Sequence, residues 1–119
     1  MKYQKYTWNQ FDKDAKKIAS LLKGRKFDGV WGLARGGLPL AVVLSHALKI
    51  PLFDKPKTKH TLIVDDIADT GKTLKRYSKT HIIATLFYHP QSKFVPHIWL
   101  RKKGTQWILF PWENRQTTK

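Results

Sequence analysis

Asp65, Asp66 and Asp69 fall within five positions of a 119-residue chain that holds only eight acidic residues. They sit in the run Thr61-Leu62-Ile63-Val64-Asp65-Asp66-Ile67-Ala68-Asp69-Thr70-Gly71-Lys72-Thr73-Leu74. An apolar stretch of β character leads there into adjacent carboxylates, and then into a turn rich in hydroxyls and glycine. Two carboxylates a few Å apart repel by about 3 kcal/mol at an effective dielectric of about 20. Folding alone does not ask for that. A bound metal ion, or the hydroxyls of a sugar, would use the negative charge.

The segment Asp69-Thr70-Gly71-Lys72-Thr73 has a different chemistry. A strand, a tight turn and a helix start present several backbone N–H groups and the positive end of a helix dipole, which suits a phosphate. Thr70 and Thr73 add hydroxyl donors, Gly71 lets the backbone approach closely, and Lys72 adds charge. Gly71-Lys72-Thr73 copies the end of a nucleoside-triphosphate P-loop, but that motif needs glycine five positions earlier, where Asp66 stands. A triphosphate would also face three carboxylates. Phosphate donors just after two carboxylates instead describe a phosphorylated sugar. Its 5′-phosphate would sit on the Thr70–Thr73 turn and its hydroxyls on Asp65 and Asp66, with a divalent cation helping to neutralise them.

The elements that must hold these groups alternate. Thr7 and Gln10 have the spacing of a capping box, and Phe11, Ala15, Ile18 and Leu22 recur at helical spacing before Gly24. Residues 27–34 read as a buried strand and Arg35-Gly36-Gly37 as a turn. Pro39 opens a helix running to about Leu48. A brief strand over 50–53, a polar loop over 54–59, a buried strand over 61–64 and a short helix over 73–79 follow. Strands over 81–88 and 94–100 come next, then an irregular aromatic tail. Helices alternating with uniformly apolar strands predict an α/β fold whose parallel sheet is covered on both faces. Ligands in such folds bind beyond the carboxyl ends of strands, where both unusual loops lie.

The bulk composition sets outer limits. Length and 41% hydrophobic content suit one globular domain. Cysteine is absent, which excludes disulfide and thiolate chemistry. The chain has no apolar stretch near the ~20 residues of a membrane span, and Met1 to Tyr6 does not resemble a secretory signal. A cytoplasmic protein is the expectation. A net charge of +15 predicts attraction to polyanions, whether nucleic acid or phosphorylated small molecules. The basic residues are dispersed, so a nucleic-acid partner is compatible with the charge without being favoured by the pattern. His46, His60, His81 and His97 lack metal-site spacing, and Trp8, Trp31, Trp99 and Trp112 read as structural.

The run from Leu62 to Leu74 closely resembles the phosphoribosyl pyrophosphate (PRPP) signature of type I phosphoribosyltransferases. Leu33-Ala34-Arg35-Gly36-Gly37-Leu38 is similar to that family's pyrophosphate loop, in which a non-proline cis peptide often precedes the arginine, here Ala34–Arg35. Tyr6-Thr7-Trp8 and Gln106-Trp107-Ile108-Leu109-Phe110-Pro111-Trp112-Glu113 resemble the 6-oxopurine branch, the xanthine–guanine phosphoribosyltransferases. The resemblance implies a Rossmann-like, mostly parallel twisted sheet flanked by helices. It also implies a single domain over 1–119, with about 100–119 as a reduced purine-binding hood. The expected activity is transfer of the phosphoribosyl group from PRPP to guanine, xanthine or hypoxanthine, with release of pyrophosphate. PRPP is then expected on Arg35, Gly36, Gly37, Asp65, Asp66, Ile67, Ala68, Asp69, Thr70, Gly71, Lys72 and Thr73. Mg2+ would lie at Asp66 and Asp65, and Asp69 would be the acid/base group near N7. The purine would meet Asp69, His89, Trp107 as a stacking face, and Ile108 through its backbone. A homodimer or homotetramer is implied.

Two departures stand out. The long flexible loop that closes over the diphosphate in this family is reduced to residues 51–60, where Lys55, Lys57 and Lys59 could supply charge. His89 also stands where the family commonly has a lysine before the proline. The missing loop and the +15 charge define an alternative: a non-catalytic PRPP or nucleotide sensor of the same fold that binds nucleic acid.

Overall fold

The computed structural model describes residues 2–113. Strand β1 (Tyr3–Lys5) leads into helix α1 (Trp8–Leu22), whose start is set by a reciprocal cap. The Gln10 amide donates to Thr7 Oγ1 at 3.1 Å and the Thr7 amide donates to Gln10 Oε1 at 2.9 Å, satisfying two donors that a helix start would otherwise leave open. Phe11, Ala15, Ile18 and Leu22 are buried as their spacing requires, and Gly24 leaves the helix at φ 91°. Then come β2 (Gly29–Gly32), α2 (Leu38–Leu48), β3 (Leu52–Phe53), β4 (Thr61–Ala68), α3 (Lys72–Lys75), β5 (Ile83–Tyr88), β6 (Arg101–Lys102) and β7 (Trp107–Leu109).

Five strands form one sheet in the order β3-β2-β4-β5-β6, every neighbouring pair parallel. Leu62 and Val64 of β4 join Leu40, Ala41 and Leu44 of α2 and the apolar face of α1 in the larger core. Ile63, one residue out of phase, joins Leu74, Ile83 and the partly buried Trp31, Leu33, Tyr77 and Phe94 on the other face. Both faces are therefore covered, which is why the strands lack an alternating polar pattern. Among the described residues no helix is long and apolar enough to cross a membrane.

Three local expectations are corrected. The central strand does not stop at Val64. It runs through Asp65 and Asp66 to Ala68, because β5 offers a parallel partner along that whole length, with Asp65 opposite Thr85 and Ile67 opposite Phe87. The strand expected over 94–100 is reduced to an isolated bridge between Ala84 and Ile98, followed by the two residues of β6. Pro96 has no N–H to offer a ladder, and His97 Nδ1 accepts the Ile83 amide at 3.0 Å in place of a neighbouring carbonyl. The tail read as irregular contains β7, which pairs parallel with β1 in a second, two-stranded sheet, Ile108 opposite Gln4.

Aromatic edges join that small sheet to the large one: Tyr6 meets Phe87 at 5.1 Å and Phe110 at 5.7 Å between ring centroids. A buried polar knot ties the same elements. Asp14 of α1 accepts the Tyr6 hydroxyl at 2.6 Å and Arg101 Nε of β6 at 2.6 Å, with a second Arg101 nitrogen at 3.2 Å. This fork holds the last strand of the sheet against α1.

Candidate active site

Two turns at the carboxyl ends of β2 and β4 frame the site. After β2, the Leu33 amide donates to Val64 O at 3.0 Å and the Gly37 amide donates to Leu33 O at 2.7 Å, so the loop folds tightly onto β4. The Ala34–Arg35 peptide is cis. A Cβ on Gly36 would overlap the Asp66 carboxylate, so glycine lets the arginine-bearing turn lie directly against Asp66.

Asp65 and Asp66 reach this turn as residues of β4. The Asp66 amide donates to Asp65 Oδ1 at 2.8 Å. Burial holds both carboxyls well above the usual carboxylate range; for Asp65 the neighbouring Asp66 raises it further, and for Asp66 the charge of Glu113 does. The salt bridges among the described residues leave both of them out. The pair thus holds fewer than two charges until a positive partner arrives.

The second turn begins at Asp69. Gly71 adopts φ 78°, and a Cβ there would lie 2.5 Å from Ser92 Oγ, which excludes other residues on both counts. The Lys93 amide donates to Thr70 O at 2.9 Å, and the Lys75 amide donates to Gly71 O at 2.9 Å. Thr70, Lys72 and Thr73 are exposed at this rim. Helix α3 spans only Lys72–Lys75, shorter than the expected 73–79.

Two adjoining cavities lie between and beside the turns. The larger, about 660 Å3, is lined by Arg35, Gly36, Pro39, Asp66, Trp112 and Glu113. The smaller, about 110 Å3, is lined by residues that include Asp66, Asp69, Lys103, Trp107, Ile108 and Glu113. Asp66 and Glu113 belong to both and form the shared wall. Ile67 lines the smaller cavity, whereas Ala68 is fully buried. Trp107 is 39% exposed, Ile108 is buried in register with Gln4, and the Glu113 carboxylate accepts the Phe110 amide at 3.1 Å.

His89 lies outside the linings of these two cavities. Its Nδ1 accepts the Gln91 amide at 3.0 Å, which turns the ring into its own loop. Lys103 and Glu113, by contrast, are at the site although sequence reasoning did not single them out. Lys103 Nζ lies 3.6 Å from Asp69 Oδ1 and 5.1 Å from the centre of the Trp107 ring. Its only sequence signal was one position in a dispersed basic composition.

The reduced loop turns away from the site. Thr58 and Thr61 donate to Asp28 at 2.7 and 2.8 Å, tying its end to the amino ends of β2 and β4. Lys57 covers the Phe53 ring at 4.3 Å, and Lys59 lines a groove with Ser78 and His81.

Hard carboxylate oxygens at Asp65 and Asp66 suit Mg2+, which typically takes one or two carboxylates and draws its other ligands from substrate and water. Among the described residues no group of three or more His, Cys, Asp or Glu is placed to hold an ion unaided. The site therefore fits a cation that arrives with a substrate rather than a fully protein-held one.

No family profile matches the chain. A xanthine-guanine phosphoribosyltransferase of Nitratidesulfovibrio vulgaris is 29% identical over 91% of this chain and 83% of the relative. One from Cereibacter sphaeroides is 28% identical over 90% and 84%. The Helicobacter pylori xanthine-guanine-hypoxanthine phosphoribosyltransferase shares the fold at a TM-score of 0.82 and 22% identity, covering 97% of this chain and 96% of that one. A purine phosphoribosyltransferase from Pyrococcus horikoshii superposes at a TM-score of 0.82 with 34% identity over 96% of this chain and 95% of that one. Identity at that level across nearly all of both molecules makes this chain a member of the purine phosphoribosyltransferases, within the type I phosphoribosyltransferase fold.

Proposed function

We propose that the protein transfers the 5-phosphoribosyl group of PRPP to a 6-oxopurine, giving a nucleoside 5′-monophosphate and pyrophosphate in purine salvage. The observation that carries this is the shared wall of Asp66 and Glu113 between a cavity at the arginine turn and a cavity at Trp107. A sugar held at that wall has its leaving group on one side and its incoming base on the other.

In this reading the 5′-phosphate binds the turn from Asp69 to Thr73, with Ile67 and Ala68 forming its approach. The ribose hydroxyls bind Asp65 and Asp66. Arg35, Gly36 and Gly37 hold the diphosphate through the guanidinium and backbone N–H groups. The purine stacks on Trp107, meets the backbone of Ile108, and receives His89 only through its loop. With its proton on N7, the base attacks C1 of the ribose through the N9 lone pair. The C1–N9 bond forms as the C1–O bond to pyrophosphate breaks, and Asp69 accepts the N7 proton. The ribose carries oxocarbenium character in the transition state, so positioned charge matters more than a strong nucleophile. Asp66 and Asp65 would hold Mg2+, which would supply positive charge to neutralise the pyrophosphate leaving group. Residues 100–113 act as the reduced hood of a single domain; positions 114–119 of that expectation lie outside the described residues. The assembly is a homodimer or homotetramer, which light scattering measures.

The test is incubation with Mg2+ and PRPP against guanine, xanthine, hypoxanthine and adenine, following nucleotide and pyrophosphate together. Stoichiometric formation of both from a 6-oxopurine is the expected result. PRPP binding without turnover of any base rejects the enzyme in favour of a nucleotide sensor.

A further inference from the structure

Independently of the activity proposed above, we infer that the amino ends of the parallel strands carry a second binding site, for a short stretch of single-stranded nucleic acid, in two adjoining grooves lined by Arg25, Lys59 and Lys79. Basic residues that are dispersed in the sequence are gathered there by the fold. Arg25 precedes β2, Lys59 and His60 precede β4, and Lys79 to Ile82 precede β5. His97 precedes Ile98, which bridges Ala84 in parallel. Because every neighbouring strand runs the same way, these loops emerge at one end of the sheet, opposite the turns after β2 and β4. Six residues of extended chain at about 3.3 Å each put His60 about 20 Å from Asp66.

The first groove, about 270 Å3, is lined by residues that include Lys59, His60, Lys79, His81 and His97. The second, about 350 Å3, is lined by Leu21, Arg25, His97, Ile98 and Trp99. His97 belongs to both and joins them. Its Nδ1 accepts the Ile83 amide at 3.0 Å, so the proton of the neutral ring sits on Nε2. His81 ties the walls of the first groove together: its Nε2 donates to Thr58 O at 3.0 Å, and its Nδ1 lies 2.8 Å from Thr80 Oγ1. Arg25, Lys59 and Lys79 are exposed, and the salt bridges among the described residues leave all three out. Neither lining includes an acid. Asp28, whose charge acts on His60, has its two carboxylate oxygens taken by the Thr58 and Thr61 hydroxyls at 2.7 and 2.8 Å. The two ends of the sheet are therefore opposite in charge, with Asp65, Asp66, Asp69 and Glu113 at the other end.

Cations on three separate loops suit a chain of phosphates better than a single one. The second groove adds apolar surface, where Leu21 is 52% exposed beside Ile98. Inorganic polyphosphate has nothing to lay on that surface, whereas unpaired bases do. Both nitrogens of His81 are engaged at the ring edge, so its imidazole has a ring face to offer, and imidazoles are among the side chains on which splayed bases stack. A duplex keeps its base faces hidden, which makes the single strand the better fit.

Fluorescence anisotropy with a labelled mixed-sequence dodecamer, as single-stranded RNA and as single-stranded DNA, tests the site. Three phosphate contacts predict a salt slope of about −2, so affinity should fall roughly fifteenfold between about 50 and 200 mM salt. Arg25→Glu combined with Lys79→Glu is expected to weaken binding by about tenfold or more. Lys13→Glu combined with Lys102→Glu reaches the same net charge on exposed side chains outside both grooves, and should weaken it by less than about threefold. Leu21→Ser should cost the single strand about threefold and leave inorganic polyphosphate unaffected. Binding of RNA alone, of DNA alone or of both supports the site and names the strand. No binding by the wild type overturns it, as does equal weakening by the two charge-reversed pairs. Duplex or inorganic polyphosphate that binds as tightly as the single strand also overturns it. Turnover with PRPP is expected to be unchanged in Arg25→Glu with Lys79→Glu. A wild type without turnover rejects the activity proposed above and leaves the binding comparison to judge the grooves. If the glutamate pair does not fold, Arg25→Gln with Lys79→Gln decides in its place.

Discussion

Two sets of acidic side chains lie in this one small fold, and their surroundings are opposite. Asp14 is 8% exposed and fully answered: a tyrosine hydroxyl and two arginine nitrogens surround it within 3.2 Å. Asp65 and Asp66 are also partly buried, yet the charges that act on them are each other's and, on Asp66, that of Glu113. The first set ties α1 to β6. The second stores unfavourable charge beside two cavities, both of which Asp66 lines. The contrast separates acids that hold the fold from acids that await a ligand, because a buried carboxylate without a positive partner is tolerated only where binding supplies one.

The sharpest way to break that contrast is at Asp69. Asp69→Asn is expected to lower kcat about a thousandfold, in the range usual for a lost acid/base group. Its thermal midpoint should stay near the wild type, since the side chain is nearly half exposed. Steady-state kinetics and calorimetry on the same sample check both halves. Asp14→Ala should do the reverse. It strands the Arg101 guanidinium, and because that side chain is 35% exposed the loss should be at the lower end for a broken buried pair, about 3 kcal/mol in urea unfolding.

A smaller effect of opposite sign is expected at Asp65→Asn. In the unfolded chain this carboxyl titrates at about 3.9, and burial raises it in the folded protein. Between those values the folded chain binds more protons than the unfolded one, so the contribution of this group to stability falls as pH rises. The asparagine variant should therefore be more stable by about 1 kcal/mol, with a gap that widens from roughly pH 5 to pH 8. It should also lose affinity for PRPP with Mg2+. A variant that is less stable at pH 8 than the wild type contradicts the idea of stored charge. The smallest effect is expected from the triple change Tyr6→Phe, Asp14→Leu and Arg101→Met. Replacing the whole knot with apolar groups should leave stability within about 1 kcal/mol of the wild type, since well-packed apolar residues can substitute for a buried ion pair.

The outcome at individual residues shows how far local reading goes. The capping box at Thr7 and Gln10, the stop at Gly24 and the two turns after β2 and β4 are written in spacings of a few residues, and each forms where it is expected. Those features depend on hydrogen bonds and φ angles that neighbouring residues decide among themselves. The extension of β4 through Asp65 and Asp66 depends instead on β5, and the pairing of β7 with β1 joins opposite ends of the chain. His89 had the expected position in the sequence, but its ring hydrogen-bonds within its own turn. Lys103 had no distinguishing neighbours, and only the parallel ladder to Tyr88 and the clamp on Arg101 carry it to Asp69.

By itself, then, the order of residues determined the two long helices and the glycine-dependent turns, because those are contacts between near neighbours. It also pointed to a chemical class for the pocket, because adjacent carboxylates followed by a hydroxyl-rich turn suit a phosphorylated sugar. Tertiary structure decided which cation lines the smaller cavity, where the His89 ring is anchored, and how strongly the acid pair resists ionisation. Each of these depends on burial and on partners far away along the chain, and neither quantity exists until the sheet has closed around them.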